Sequence, residues 1–533
     1  MSIMGESVSI SKDGLSRRSF LKGAGIGAAG LLGATALSAC ASGASASSAN
    51  AAGSADITWD EETDVVVVGS GAAGVAAAMA ALDGGAEVIM IDKGAALGGI
   101  TSVCEQYCAY DSSLHLPQNF DDVEDSAEIM LEDALRVSRG TADRELAKIY
   151  CDRSAETIDW MLEHGCEFKD TLRVSDGRHG QGKYILKAAG DLTVKFTADI
   201  EAAGGKTMTD TPLTGLVRDE ESGRVIGIEC DEGEKHIRAR KGVVICTGPW
   251  SDDEVLIPRH VPETPEIVKQ CAETLAAFGM PYGPYTGEAI RSAQSVGAAT
   301  RHMEYVMFDP YYSVPEIMEQ RIAPAGLTRA VNQILITPEG ERFTDEGKSR
   351  GDIAIDILKL EGNVYYPVID KRHLPDPTGS IKFPEEKLDE WVEMGIMAKG
   401  ETLEELAASM EANLGIPQSA ALETINRYNG FCAAGEDADF GKDPHHMTPI
   451  DEPPFYAGPA ETCRVMYTHG GLETDEGAHV VDLDGAVIPG LYAAGMCTGG
   501  PLGYITISGN WQMSSLVFGR IAGENVAAEA VAE

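Results

Sequence analysis

Three glycines, Gly69-x-Gly71-x-x-Gly74, stand directly after the β-branched run Thr63–Val68. The first allows a tight turn, the second lets backbone approach a pyrophosphate, and the third lets the next helix pack on the strand. That helix, expected over Ala72–Ala81 with Ala72 and Ala73 in its first turn, offers its N-terminal N–H groups to phosphate oxygens. A second apolar run, Glu87 to Asp92, ends 23 residues past Gly69 in an acid followed by Lys93, where an acceptor for a ribose hydroxyl belongs. Strand, triplet, helix, strand and acid in register predict a dinucleotide site.

NAD and FAD are not separated by this unit, but later segments separate them. Gly98-Gly99-x-Thr101-Ser102, the run Gly242–Cys246 ending in Thr247-Gly248, and Pro489–Gly495 leading into a glycine-rich passage through Gly509 and Asn510 all look like returns of the chain to one large, elongated ligand. They resemble the FAD-binding segments of the soluble fumarate reductase, urocanate reductase and 3-ketosteroid dehydrogenase superfamily. The resemblance runs on through Tyr285–Ala289, Gly297–Thr300 and Met303–Tyr305, then Pro338–Phe343 with Asp345, Glu346 and Arg350, then Thr468-x-Gly470-Gly471 and Phe518–Gly523.

What the resemblance implies is an α/β protein: a Rossmann-like FAD-binding domain in two chain segments, 56–303 and 469–533, with an inserted α+β substrate-capping domain, 304–468. FAD would be noncovalent, since Ile100, Thr101 and Ser102 offer no histidine for attachment after Gly99. Arg350 matches the family's proton donor, which protonates the carbon left electron-rich when flavin N5 delivers a hydride across a C=C bond. A guanidinium is a very weak acid, yet it can protonate a carbanion and stabilise the charge that develops. The alternative role for Arg350 is an ion pair with Asp345 or Glu346. Behind this arginine the family relay reads Thr-Glu-x-x-Arg; here Ala325-Gly326 precede Arg329, so the second arginine is kept and the carboxylate is lost. Glu316 and Glu319 are then candidates for resupplying the proton, or are solvated surface.

The substrate positions depart from the fumarate reductases. Asp309-Pro310 stands for a His-Pro pair, Tyr467 for a histidine, and Thr506 for the carboxylate-clamping arginine. A dicarboxylate would lose most of its cationic recognition, and Asp309 would repel it. Tyr311, Tyr312, Tyr467, Tyr504 and Trp511 would place flat rings near the flavin or simply pack. His469 could hold a substrate carbonyl or make a structural hydrogen bond. The expected substrate is therefore an aromatic acrylate, an enone or a lactone. The competing readings are a ketosteroid-type dehydrogenase that introduces C=C and a non-catalytic flavin electron shuttle.

These residues need scaffolding. Amphipathic spacing predicts helices within Asp121–His164, with Ile129, Met130, Leu135, Ile158, Met161 and Leu162 inward, and a terminal helix after Gly509 with Met513, Leu516, Val517, Ile521 and Val526 inward. The terminal helix would aim its positive dipole end at the flavin. Its 533 residues, 44% of them hydrophobic, suffice for several domains. A formal charge of −42 argues against any nucleic-acid partner.

Residues 1–55 read as an export signal and flexible linker: Arg17-Arg18 before a Gly/Ala-rich weakly apolar stretch resembles a twin-arginine signal. Leu37-Ser38-Ala39-Cys40 resembles a lipobox that would lipidate Cys40 and anchor an extracytoplasmic protein; plain cleavage after Ala39 or downstream is the alternative. Without a haem motif or an NAD site of its own, the chain would draw electrons from an external donor, such as a membrane cytochrome or a quinol-linked redox protein.

Overall fold

The valine run after Trp59 forms the middle of an eight-stranded sheet in this computed structural model, which describes residues 57–116, 125–172, 183–262, 285–314, 333–373 and 385–532. The signal segment with Cys40, and also Glu316, Glu319, Ala325-Gly326 and Arg329, lie outside the described residues. Strand Glu61–Val68 runs parallel to Val88–Ile91 on one side and to Lys235–Ile245 on the other. Lys206–Met208 extends the sheet beyond Val88–Ile91, and Val487–Ala493 extends it beyond Lys235–Ile245, both in parallel. Val65 and Val67 pack into one hydrophobic cluster, Val66 and Val68 into another. Both faces of the central strand are thus covered, which is why it reads as unbroken valine rather than as an alternation.

Two helices close one face. Ala72–Asp83 and the terminal helix Asn510–Ala528 approach so closely that a Cβ at Gly519 would lie 2.4 Å from the Ala73 carbonyl oxygen, and one at Gly523 would lie 2.3 Å from that of Ala77. Small residues at both positions permit this contact, which locks the start of the terminal helix beside the Gly69–Gly74 loop. Met513, Leu516, Val517, Ile521 and Val526 are all buried as their spacing predicts. The expected helices before His164 are Ala127–Val137, Arg144–Asp152 and Ser154–Glu163; Met130, Ile158 and Met161 are buried, while Ile129, Leu135 and Leu162 are half-buried.

The strand expected from Gly242 begins earlier, at Lys235. Its first half alternates, with Ile237 and Ala239 fully buried and Arg238 and Arg240 paired to Glu62 and Asp64. A hairpin partner, Val225–Cys230, pairs antiparallel with this half, so it lacks the continuous apolar run by which the second half was recognised.

A separate four-stranded antiparallel sheet is built from Ile334–Ile336, Tyr366–Asp370, Phe455–Ala457 and Ala398–Gly400. Between the sheets in sequence runs an antiparallel pair, Val306–Ser313 with Glu461–Thr468, whose register shifts between Met307 and Phe308 and again between Asp309 and Tyr312. That pair and the helix Arg350–Ile357 carry the polar residues described next.

Candidate active site

Loop segments at the carboxyl ends of the parallel strands enclose a long trough, the place where open α/β sheets bind ligands. Gly69, Gly71, Ala72, Ala73, Asp92, Lys93, Gly99, Thr101, Thr247, Gly248 and Gly495 line it, so eleven of the expected cofactor residues come together from distant parts of the chain. The glycines divide by what a side chain would meet. At Gly74 a Cβ would fall 1.8 Å from the Gly69 oxygen, and at Gly69 it would fall 2.4 Å from the Cys246 oxygen, so these two permit close backbone packing. At Gly71 a Cβ would meet only Thr101 Oγ1, at 3.6 Å, and at Gly99 it would meet nothing within 4 Å. There the missing side chain leaves room in the trough itself. Gly71 caps the helix without a side-chain acceptor, which leaves N-terminal N–H groups for an anion. This cradle fits a dinucleotide pyrophosphate.

Asp92 is both a loop tie and a wall residue. Its Oδ2 accepts from Ser70 N–H at 2.9 Å and from Ser70 Oγ at 2.5 Å, and Oδ1 accepts from Gly94 N–H at 2.8 Å. A carboxylate has about four lone-pair sites, so one is left for a ribose hydroxyl. Lys93 donates to Thr286 Oγ1 at 2.7 Å and pairs with Glu288. Thr101 Oγ1 accepts from Ala72 N–H at 3.0 Å, which ties the second glycine-rich loop to the first.

Five expected cofactor residues do not line the trough. Gly74 packs as described. Gly98 donates its N–H to Ser70 Oγ at 2.8 Å, and Ser102 Oγ donates to the Gly99 carbonyl at 2.8 Å. Gly509, with φ +95°, approaches Cys108, and the fully buried Asn510 donates to Tyr150 OH at 3.1 Å. They brace the walls from behind, since a left-handed turn or an amide tie is needed where loops cross. Sequence reasoning missed Ser70, Gln512 and Ser515, although the last two follow Trp511 by one and four residues on a predicted helix.

A second, much smaller cavity is lined by Met307, Ser349, Arg350, Tyr467, Thr506, Ser508 and Trp511. Trp511 also lines the trough, so this residue borders both spaces. The Tyr467 and Trp511 rings lie 4.8 Å apart at 35°. Arg350 is the first residue of its helix, whose cap Ser349 accepts from Asp352 N–H at 3.2 Å. Its Nη2 donates to Ser508 Oγ at 3.2 Å, and its Nη1 lies 3.1 Å from Asp309 Oδ1. The partners considered from sequence are engaged elsewhere. Glu346 pairs with Arg342 and Lys442, and Asp345 accepts from Gly347 N–H.

Three expected substrate residues lie away from this wall. Asp309 is fully buried behind Arg350. His469 is 2% exposed, with Nδ1 2.8 Å from the Gly503 carbonyl; a carbonyl only accepts, so Nδ1 carries the proton. Burial pushes the ring's pKa down to about 4, and it stays neutral as a loop fastener. Tyr504 stacks edge-on to Tyr305 at 5.7 Å and donates its N–H to Thr141. Tyr467 and Thr506 are in the wall as expected. Tyr311 and Tyr312 lie on the strand Val306–Ser313, with their side chains outside the described part.

Comparison with known proteins agrees with the trough. The FAD binding domain family (FAD_binding_2) matches residues 64–510. A fumarate reductase (cytochrome) of Shewanella frigidimarina is 28% identical over 481 residues, covering 88% of this chain and 77% of the relative. The digoxin reductase of Eggerthella lenta is 27% identical over 564 residues, covering 97% of each. The solved 3-ketosteroid-Δ4-(5α)-dehydrogenase of Rhodococcus jostii RHA1, in complex with 4-androstene-3,17-dione, superposes with a TM-score of 0.67 at 26% identity, covering 89% of this chain and 98% of that one. With a glycine cradle shaped for a dinucleotide and a match across most of its length, the chain belongs to the FAD binding domain family, as an FAD-dependent oxidoreductase among reductases that act on C=C bonds.

Proposed function

We propose that the protein reduces an activated C=C bond in a substrate that is not a dicarboxylate: an aromatic acrylate, an enone or a lactone. The observation that carries this reading is the second cavity, where Arg350 is the charged side chain of a wall otherwise made of two aromatic rings, a methionine and three hydroxyls. Bound FAD supplies the hydride. Arg350 gives a proton to the opposite carbon and, as a fixed cation, stabilises the charge developing there. Ser508 and Asp309 hold the guanidinium from two sides. Tyr467 and Trp511 provide flat faces for a planar conjugated system, and Thr506 offers a hydroxyl in place of a second cation.

The chain segment 304–468 serves as the cap over this cavity. Residues 16–40 support twin-arginine export with Cys40 as lipid anchor, and an external redox protein is the proposed electron donor. The test is an anaerobic assay of the holoprotein with reduced viologen against fumarate, urocanate, cinnamates and steroid enones. Turnover of a cinnamate or enone well above that of fumarate is expected. Comparable fumarate turnover contradicts the reading, and desaturation of a saturated ketosteroid with an electron acceptor in place of any reduction turns it to the dehydrogenase alternative.

A further inference from the structure

Arg350 can protonate once; to act again it must be recharged. The carboxylate that the family places before the second arginine is absent at Gly326, yet Arg350 has a carboxylate beside it, on a different element. Asp309 comes from the strand Val306–Ser313, at the register shift between Asp309 and Tyr312, with its Oδ1 3.1 Å from Arg350 Nη1. Its side chain is wholly buried, and the contact is an ion pair without an aligned hydrogen bond: among the described residues neither oxygen has a hydrogen-bond partner. A carboxylate this dry is costly unless its charge is matched. Arg350, at the N-terminal end of its helix, gains nothing from the helix dipole, and the buried Asp309 charge is matched by its guanidinium.

Resting on the reading of Arg350 as proton donor, we propose that Asp309 is the carboxylate that recharges it, in place of the one lost at Gly326. When Arg350 gives its proton to the substrate carbon, an N–H bond breaks and a C–H bond forms, leaving a neutral guanidine beside an anionic Asp309. A solvent proton then binds Asp309, and because a carboxylic acid is far stronger than a guanidinium, it passes on to the nitrogen: O–H breaks, N–H forms, and the starting pair is restored. No electrons move in the recharging. Asp309 acts through Arg350 and is a positioning residue in this sense, not a group that touches substrate. Its side chain is set back from the cavity wall.

A first turnover uses a proton already on Arg350, whereas every later one waits on recharging. Asp309→Asn in the holoprotein is therefore expected to lower the steady-state rate by about 10²-fold, within the usual range for a lost proton-transfer group, and to slow the first turnover much less. The first turnover is read by mixing pre-reduced enzyme with the preferred alkene and following the flavin absorbance. The ratio of first-turnover to steady-state rate should rise about tenfold or more, KM should stay near wild type, and Asp309→Glu should restore part of the steady-state rate. FAD content and melting temperature are measured alongside. If Asp309→Asn does not retain FAD, Asp309→Ser takes its place. Equal loss in both phases, or no loss in either, overturns the inference. Failure of the donor reading looks different: Arg350→Met would then keep more than a tenth of wild-type activity.

Discussion

His469 gives the site a built-in acid sensitivity. The imidazole bridges the end of strand Glu461–Thr468 and the loop at Gly503, which leads to Thr506 in the cavity wall. Nδ1–H is used on the Gly503 carbonyl, while Nε2 is buried without a hydrogen-bond partner among the described residues. Protonation would place a charge and an unsatisfied N–H in that dry position, which is why burial lowers the pKa to about 4. An unfolded histidine titrates near 6.5. Between these values the unfolded chain holds more protons than the folded one, so stability rises with pH. The contribution is complete above about pH 6.5 and disappears as pH falls to about 4, a change of ~3 kcal/mol if the ring stays in place. Urea unfolding of the holoprotein at a series of pH values from neutral to mildly acidic measures it. His469→Gln keeps a donor for Gly503 but does not titrate, so it should be less stable at neutral pH and show a shallower loss on acidification. Identical pH slopes for the two proteins would refute the reasoning.

Two further outcomes follow from the packing. Gly74→Ala must open the 1.8 Å approach to the Gly69 oxygen; a backbone displacement of that kind costs ~1–3 kcal/mol, and the purified variant should carry far less FAD than wild type, read from the ratio of flavin to protein absorbance. Lys442 and Glu346 are both fully buried and 3.0 Å apart, joined to Arg342 and Asp437; Lys442→Met should destabilise by ~3–5 kcal/mol because it leaves Glu346 undercompensated, as a thermal melt would show.

The cofactor half of the molecule was readable because each of its tasks uses local rules. A valine strand, a glycine triplet and an acid at the next strand end are read within thirty residues, and the trough forms where they point. The order of the triplet already assigned Gly71 to the pyrophosphate and Gly74 to packing, and the Gly69 carbonyl beneath Gly74 agrees. What could not be read was that Gly98, Ser102, Gly509 and Asn510 brace the walls from behind instead of lining the trough. The substrate side was less legible because its contacts are nonlocal. Asp309 and Arg350 are 41 residues apart, on a strand and a helix whose apposition no periodicity announces. The buried Lys442 was invisible for the same reason: it sits in a polar stretch, Glu436–His446, and is pulled inward by Glu346, 96 residues away.

The pairing of Asp309 with Arg350 also bears on substrate charge. An isolated Arg350 would be a cation waiting for an anion, and a dicarboxylate would be drawn to it. Paired at 3.1 Å with a wholly buried carboxylate, it leaves the wall of the second cavity with no net positive charge from its described residues. A carboxylate entering such a space gives up its hydration, a loss of several kcal/mol per ion, for one arginine face already shared with Asp309 and Ser508. A second carboxylate would meet Thr506, whose hydroxyl offers one hydrogen bond where an arginine would offer a bidentate clamp. A neutral conjugated carbonyl, by contrast, needs one donor and two flat surfaces, which Arg350, Tyr467 and Trp511 provide. On the proposed relay, the pair that would keep the guanidinium charged between turnovers would also favour a neutral enone or lactone over an acrylate, and the acrylate's single carboxylate over a dicarboxylate, so that acid supply and substrate choice would rest on one contact.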